Sequence, residues 1–207
     1  MPDRRLSPGP SRLSREQVAE NQRWRMLSAA AELLAREGYL GVTSSGIARR
    51  AGVSPSTFYE HFEGTDDCLA ATHELVAEAL LELVGGACGG EAGSPERIAA
   101  GVEAAIGFVD AEPRLAAALG PQLAAAVPAV AARRRELVRR LALIPSQEPS
   151  AGAVGTGVEW EVRLLVLGGA LALLGGWVGE AGRSALAGAA SQLSQLLVRC
   201  LAPSALG

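Results

Sequence analysis

Lysine does not occur in this sequence; all 19 basic residues are arginine. That absence excludes a phosphate-cradling loop built on lysine, Schiff-base chemistry and a Ser–Lys nucleophile. Histidine is nearly as scarce. His61 and His73 are the only two, which leaves little machinery for acid–base catalysis. The chain has no GxSxG elbow and no HExxH pair, and GAVGTG (152–157) follows no strand-like run. An enzymatic role is therefore not expected, and neither is a metal or an organic cofactor. Cys68, Cys88 and Cys200 form no CxxC pair and read as reduced, buried small hydrophobes of a cytoplasmic protein. The longest charge-free apolar run, 164–179, has 16 residues and five glycines, short of the roughly 20 apolar residues of a membrane span. The first 25 residues are polar and Arg-rich, so no secretory leader is expected. No stretch alternates with period two, so no sheet is expected either.

What is present is small and apolar. Hydrophobic residues make up 49% of the chain, enough for a buried core, and abundant Ala and Gly point to closely packed helices. Only eight residues are aromatic, yet three of them fall within five positions of SSGIARRAGVSPSTFYEHF (44–62): Phe58, Tyr59 and Phe62. Charge is uneven as well. Residues 1–62 carry nine Arg against six acids, whereas 63–207 carry ten against sixteen. A basic N-terminal end on an acidic remainder fits a polyanion contact at that end.

Residues 1–13 combine Pro, Ser, Gly and Arg and read as a disordered arm. From Ser14 to Glu37, Trp24, Leu27, Ala30, Ala31, Leu33 and Leu34 recur at helical spacing, and Gly38 stops the helix. Thr43 or Ser44 caps a short helix with Ile47 and Ala48 inward and Arg49 and Arg50 outward. Ser54 caps the next, with Pro55 at its first position. Thr65 is expected to cap a longer helix to about Val84, with 85–94 as a flexible joint. Further helices are expected near 95–111, 113–126 with a kink at Gly120-Pro121, 128–144, 158–180 and 183–201, with 145–157 a loop. The fold class is all-α.

Two short helices joined by a Gly-containing turn make a helix-turn-helix, whose second helix enters the major groove. Phe58 and Phe62 share a face and lock that helix inward, leaving Ser54, Ser56, Thr57, Tyr59 and His61 free to meet DNA. Thr43, Ile47, Ala48, Ala51, Gly52, Val53, Ser54, Thr57, Tyr59, His61 and Phe62 fall in an order that resembles the signature of TetR-family transcriptional regulators. The resemblance implies a homodimer. Each subunit would have a helix-turn-helix head (14–64, motif 43–62) and a helical core (65–207) that binds a small effector and the partner. It places DNA contacts at Ser44, Ser45, Ser54, Pro55, Ser56, Thr57, Tyr59 and His61. The family usually has a lysine where Thr65 stands; Thr65 offers only a neutral hydroxyl. Gly46 likewise replaces a better helix former, at roughly 1 kcal/mol.

The resemblance implies a near-palindromic double-stranded operator, and a dimer interface through the helices near 158–180 and 183–201. Along the first of these, Trp160, Leu164, Leu167, Leu171 and Leu174 form a stripe. The side chains between 95 and 180 imply a mostly apolar effector pocket whose residues cannot be named from sequence. RRRELVRR (133–140) reads as a solvated helix face, and His73 as a surface or pocket-edge side chain. The resulting expectation is a repressor released by its effector; the alternative is a helical adaptor that kept the fold and lost DNA binding.

Overall fold

Ser14 opens the first helix with a reciprocal cap. Its hydroxyl accepts the Gln17 amide (3.1 Å) and the Gln17 side chain accepts the Ser14 amide (2.9 Å). In this computed structural model the described residues are 14–89, 94–144, 158–176, 192 and 195–200. The arm and the 145–157 loop lie outside them, as does most of the expected 183–201 helix. The elements are α1 (Arg15–Glu37), α2 (Ser44–Ala51), α3 (Pro55–His61), α4 (Thr65–Cys88), α5 (Ser94–Ala111), α6 (Pro113–Ala116), α7 (Pro121–Ala126), α8 (Pro128–Leu143) and α9 (Val158–Gly176). Short 3-10 turns occupy Tyr39–Gly41 and Ala117–Leu119, and 195–200 is helical. The described residues contain no strand, as expected.

α1 turns Met26, Leu27, Ala30 and Leu34 inward. Trp24, expected on that face, is instead 60% exposed; Met26 fills the buried place with no exposure at all. Gly38 ends α1 at a positive φ of 69°, a backbone state that glycine adopts without a Cβ clash. Gly52 ends α2 in the left-handed conformation (φ 66°, ψ 39°) and redirects the chain into α3.

Three boundaries depart from the sequence reading. α4 continues through Gly85 and Gly86 to Cys88, because Arg97 of α5 donates to the Cys88 carbonyl (2.7 Å) and closes the helix end. The expected 113–126 helix is two helices. Gly120 is extended (ψ 145°), and Pro121 restarts the helix after a 3-10 turn. At α4 the cap is Gly64 and not Thr65, which takes the first helical position; Asp67 accepts the Glu63 amide (3.1 Å) instead.

One apolar cluster runs from Met26, Ile47 and Phe58 through Cys68 and Leu69 of α4 to Leu119, Leu123, Leu137 and Leu171. α4 is thus shared: its first half carries the head and its second half walls the body. His73, read from sequence as peripheral, lies at the centre with no exposure, and its Nδ1 donates to the Ala118 carbonyl (2.8 Å). The arginine run on α8 is only partly a solvated face. Arg140 pairs with Glu78 and Arg133 with Glu74 (3.4 Å), both on α4, while the half-buried Arg134 donates to the Leu119 and Gly168 carbonyls. Cys68 and Cys88 are buried as expected, and burial pushes the Cys68 thiol up to about 12; Cys200 is exposed.

Candidate nucleic-acid interface

The head is built by caps and rings. The Thr43 hydroxyl accepts the Gly46 amide (3.1 Å) and starts α2. A Cβ on Gly46 would sit 3.0 Å from that hydroxyl, so the glycine that weakens the helix also leaves room for its cap. Ser54 accepts the Thr57 amide (3.0 Å) and starts α3, with Pro55 at the first position. Phe58 is fully buried and Phe62 nearly so, their ring centroids 5.6 Å apart. Arg23 of α1 lies over the Phe62 ring at 4.7 Å. These contacts fix which way α3 faces.

The outward side carries hydroxyls. Ser54, Pro55 and Ser56 are exposed, Thr57 is half-buried, and Tyr59 is 59% exposed. The Ser54 oxygen lies 2.8 Å from that of Ser56 and 2.9 Å from that of Thr57. Tyr59 meets Phe58 edge-on at 5.3 Å, and its phenol oxygen lies 3.1 Å from Ser44 Oγ, across the turn. Ser45, exposed one residue on, lies 3.3 Å from Thr43 Oγ1. Seven of the nine residues singled out from sequence therefore gather on one surface: Ser44, Ser45, Ser54, Pro55, Ser56, Thr57 and Tyr59. His61 and Thr65 stand apart. His61 is half-buried and lines a groove against Arg15, Val18, Ala19 and Gln22 of α1. Thr65 is half-buried at the start of α4.

A surface of hydroxyls donates to and accepts from phosphate oxygens and base edges without carrying charge. Much of the charge around it is paired internally. Within 14–64, six arginines meet six glutamates. Arg50 grips Glu32 of α1 with Nε (2.9 Å) and Nη2, and Arg36 reaches the same carboxylate at 3.7 Å. The Arg50 hydrogen bonds hold the Glu32 carboxyl below its ordinary range.

The second site is a cavity of about 70 Å³ between α4, α5, α8 and α9. Leu80, Val84, Ile98, Val102, Leu141 and Leu171 are among its walls, with Arg163 as the charged residue on its lining. Arg163 donates to the Ala142 carbonyl (3.2 Å). Sequence periodicity marks these positions as core but cannot separate a wall from a filled contact. At Gly101 a Cβ would stand 2.6 Å from Cys88 Sγ, so α5 lies very close to α4.

A helix-turn-helix head with its polar side exposed, joined through a shared long helix to an all-helical body with an apolar cavity, defines a class: DNA-binding transcriptional regulators. Residues 26–72, which hold the helix-turn-helix, match the sequence model of the bacterial regulatory proteins of the tetR family. The whole chain resembles solved structures of such regulators. It superposes on FadR, a fatty acid degradation regulator of Bacillus halodurans, with a TM-score of 0.66 at 18% identity, over 91% of this chain and 97% of that one. FadR of Bacillus subtilis, solved in complex with stearoyl-CoA, gives 0.63 at 19% over 89% and 99%. A transcriptional regulator from Rhodococcus sp. Rha1 gives 0.64 at 22% over 86% and 96%. At such identities the likeness establishes a common fold. No curated relative matches the chain.

Proposed function

We propose that this regulator is a homodimeric repressor that a small apolar effector releases from a near-palindromic operator. The observation that carries the DNA side is the outward hydroxyl face of α2 and α3: Ser44, Ser45, Ser54, Pro55, Ser56, Thr57 and Tyr59, held by the buried Phe58. Ser56 and Thr57 suit base edges, and Ser44 and Tyr59 suit phosphates. His61 and Thr65 are contacts at the margin. α3 has no Arg, Asn or Gln to grip a base with two bonds, so specificity leans on thymine methyls, bridging water and DNA shape.

The partner surface is an outward apolar row on α9. Leu171 and Leu174 of the expected stripe are buried and Leu164 and Leu167 half-buried, so that stripe packs inward. Val162 (39% exposed), Leu165 (76%) and Leu173 (48%) form a second row on the solvent side. A helix apolar on both sides is a helix with two partners. A second copy of the chain covers this row, with help from the 183–201 segment, whose Leu196 is 56% exposed.

The effector enters the apolar cavity. Ligand pockets hold roughly 300–1,000 Å³, so a space of about 70 Å³ must widen to take an effector. A long alkyl or acyl chain, such as that of the stearoyl-CoA in complex with FadR of Bacillus subtilis, would have to part α5 from α4. Because Leu80 and Val84 of α4 line the cavity while Cys68 and Leu69 support the head, that parting moves the reading heads. DNA and effector then disfavour each other reciprocally. The setting is the cytoplasm, where operator and effector meet; no helix among the described residues is long and apolar enough to cross a membrane. No catalytic step enters this reading.

The test is fluorescence anisotropy with a duplex recovered from a random pool. Thr57→Ala combined with Tyr59→Phe removes two hydroxyls per subunit at about 1 kcal/mol each, and should weaken binding at least tenfold. Unchanged affinity would remove the hydroxyl face from the interface.

A further inference from the structure

Thr65 leaves the head without the cation usual at that place, and the head from 14 to 64 is formally neutral. A duplex nevertheless carries a charge every 1.7 Å or so along its axis, and neutralising it dominates affinity. The cation that answers it must be exposed, free of internal pairing and on the hydroxyl side. Arg36 and Arg50 hold Glu32, and Arg23 lies over Phe62. Arg25 is half-buried, its Nε enclosed without a partner. Arg15 is exposed, but on the α1 flank beside His61.

Arg49 meets all three conditions. It is exposed and makes no ion pair or side-chain hydrogen bond among the described residues. At about 100° per residue, Ser45 and Arg49 lie within about 40° of each other on the α2 surface. Arg50 points about 100° further round, to the side where α1 holds it through Glu32. Ile47, Ala48 and Ala51 are the buried remainder. The two adjacent arginines therefore divide two tasks. Arg50 fixes α2 to α1, and Arg49 stands one turn behind the exposed Ser45.

We infer that Arg49 is the phosphate clamp of this head, reaching past Ser45 to the DNA backbone and standing in for the charge that Thr65 lacks. The inference rests on the DNA-binding reading above. It adds a residue that the family signature leaves unspecified.

The test is the salt dependence of binding by the full chain, between about 50 and 300 mM NaCl, for a selected duplex and an unrelated duplex of equal length. Each clamped phosphate contributes about 0.9 to the slope of log K against log salt. Arg49→Ala should lower that slope by about one per subunit on both duplexes, and Arg49→Lys should restore it. Arg50→Ala should leave the slope and lower the melting temperature, and Arg135→Ala on α8 should change neither. A wild-type slope in Arg49→Ala, with Thr57→Ala/Tyr59→Phe still weakening binding, would overturn the clamp and leave the DNA reading intact. No duplex binding by the wild type at 50 mM salt would overturn both. Circular dichroism on each variant identifies a loss caused by unfolding, and Arg49→Gln, which keeps the unbranched stem and a polar end without the charge, then supplies the slope.

Discussion

Phe58 sits on a seven-residue helix, and a helix so short does not hold in water by backbone bonding alone. Its persistence depends on the ring, which is buried among Met26, Ile47 and Phe62. Phe58→Ala should cost about 3–5 kcal/mol, readable in chemical denaturation, with DNA binding lost where the head unfolds. His73 is buried for a different reason. Its Nδ1–H is used by the Ala118 carbonyl, and its Nε2 is enclosed without a partner. Burial holds its pKa below the ordinary 6.5, with Arg134 and Arg133 adding to the effect against the opposing Ala118 bond. The unfolded chain takes up the proton first. The contribution is therefore complete above about pH 6.5 and is lost as the pH falls below it toward the folded value. The melting temperature should drop between pH 7 and 5, and drop less in His73→Asn. Neither the burial of His73 nor the exposure of Trp24 was legible in the sequence. A histidine between Thr72 and Glu74 carries no sign of the Ala118 carbonyl 45 positions away, and Trp24 fitted the same spacing as its buried neighbours.

At the scale of elements, local chemistry wrote most of the head. Thr43, Gly52, Ser54 and Pro55 each set a boundary through their own bonding or backbone preference, and each stands where the sequence put it. The misreadings have long-range causes. Gly85-Gly86 looked like a joint because glycine weakens helices, yet contacts with α5 carry α4 across it. The 117–119 turn looked helical because alanine and leucine favour helix, yet it is held by Arg134 of α8 and by His73 of α4. A close backbone contact belongs to the same region. A Cβ on Gly175 would stand 2.7–2.9 Å from backbone atoms of Gly120 and Leu119, which cannot rotate away as a side chain would. Gly175→Ala should therefore destabilise by about 1–3 kcal/mol, although alanine favours helix by about 1 kcal/mol elsewhere. Gly168→Ala, with open space around it, should be neutral or stabilising in the same melt. The apolar character of the cavity was legible but its walls were not, since a lining leucine and a packed one share the same periodicity.

The whole molecule connects a small apolar cavity to a hydroxyl-faced head through one helix, and carries an outward apolar row on α9. Leu165→Glu with Leu173→Glu places charge on that row and spares the buried side of α9. By analytical ultracentrifugation the variant should be a monomer where the wild type is a dimer, with its helical signal retained. An unaltered dimer would move the interface elsewhere. Dimerisation matters because two heads, about one helical turn apart, are what make a palindrome readable. The most direct test of the account is selection of duplexes from a random pool by the purified full-length protein, with the half-site spacing read from the enriched sequences. The account predicts inverted half-sites about 10 base pairs apart, centre to centre, or a multiple of one turn, and no enrichment by Thr57→Ala/Tyr59→Phe. Enrichment of a single asymmetric site, or equal enrichment by that variant, would contradict it.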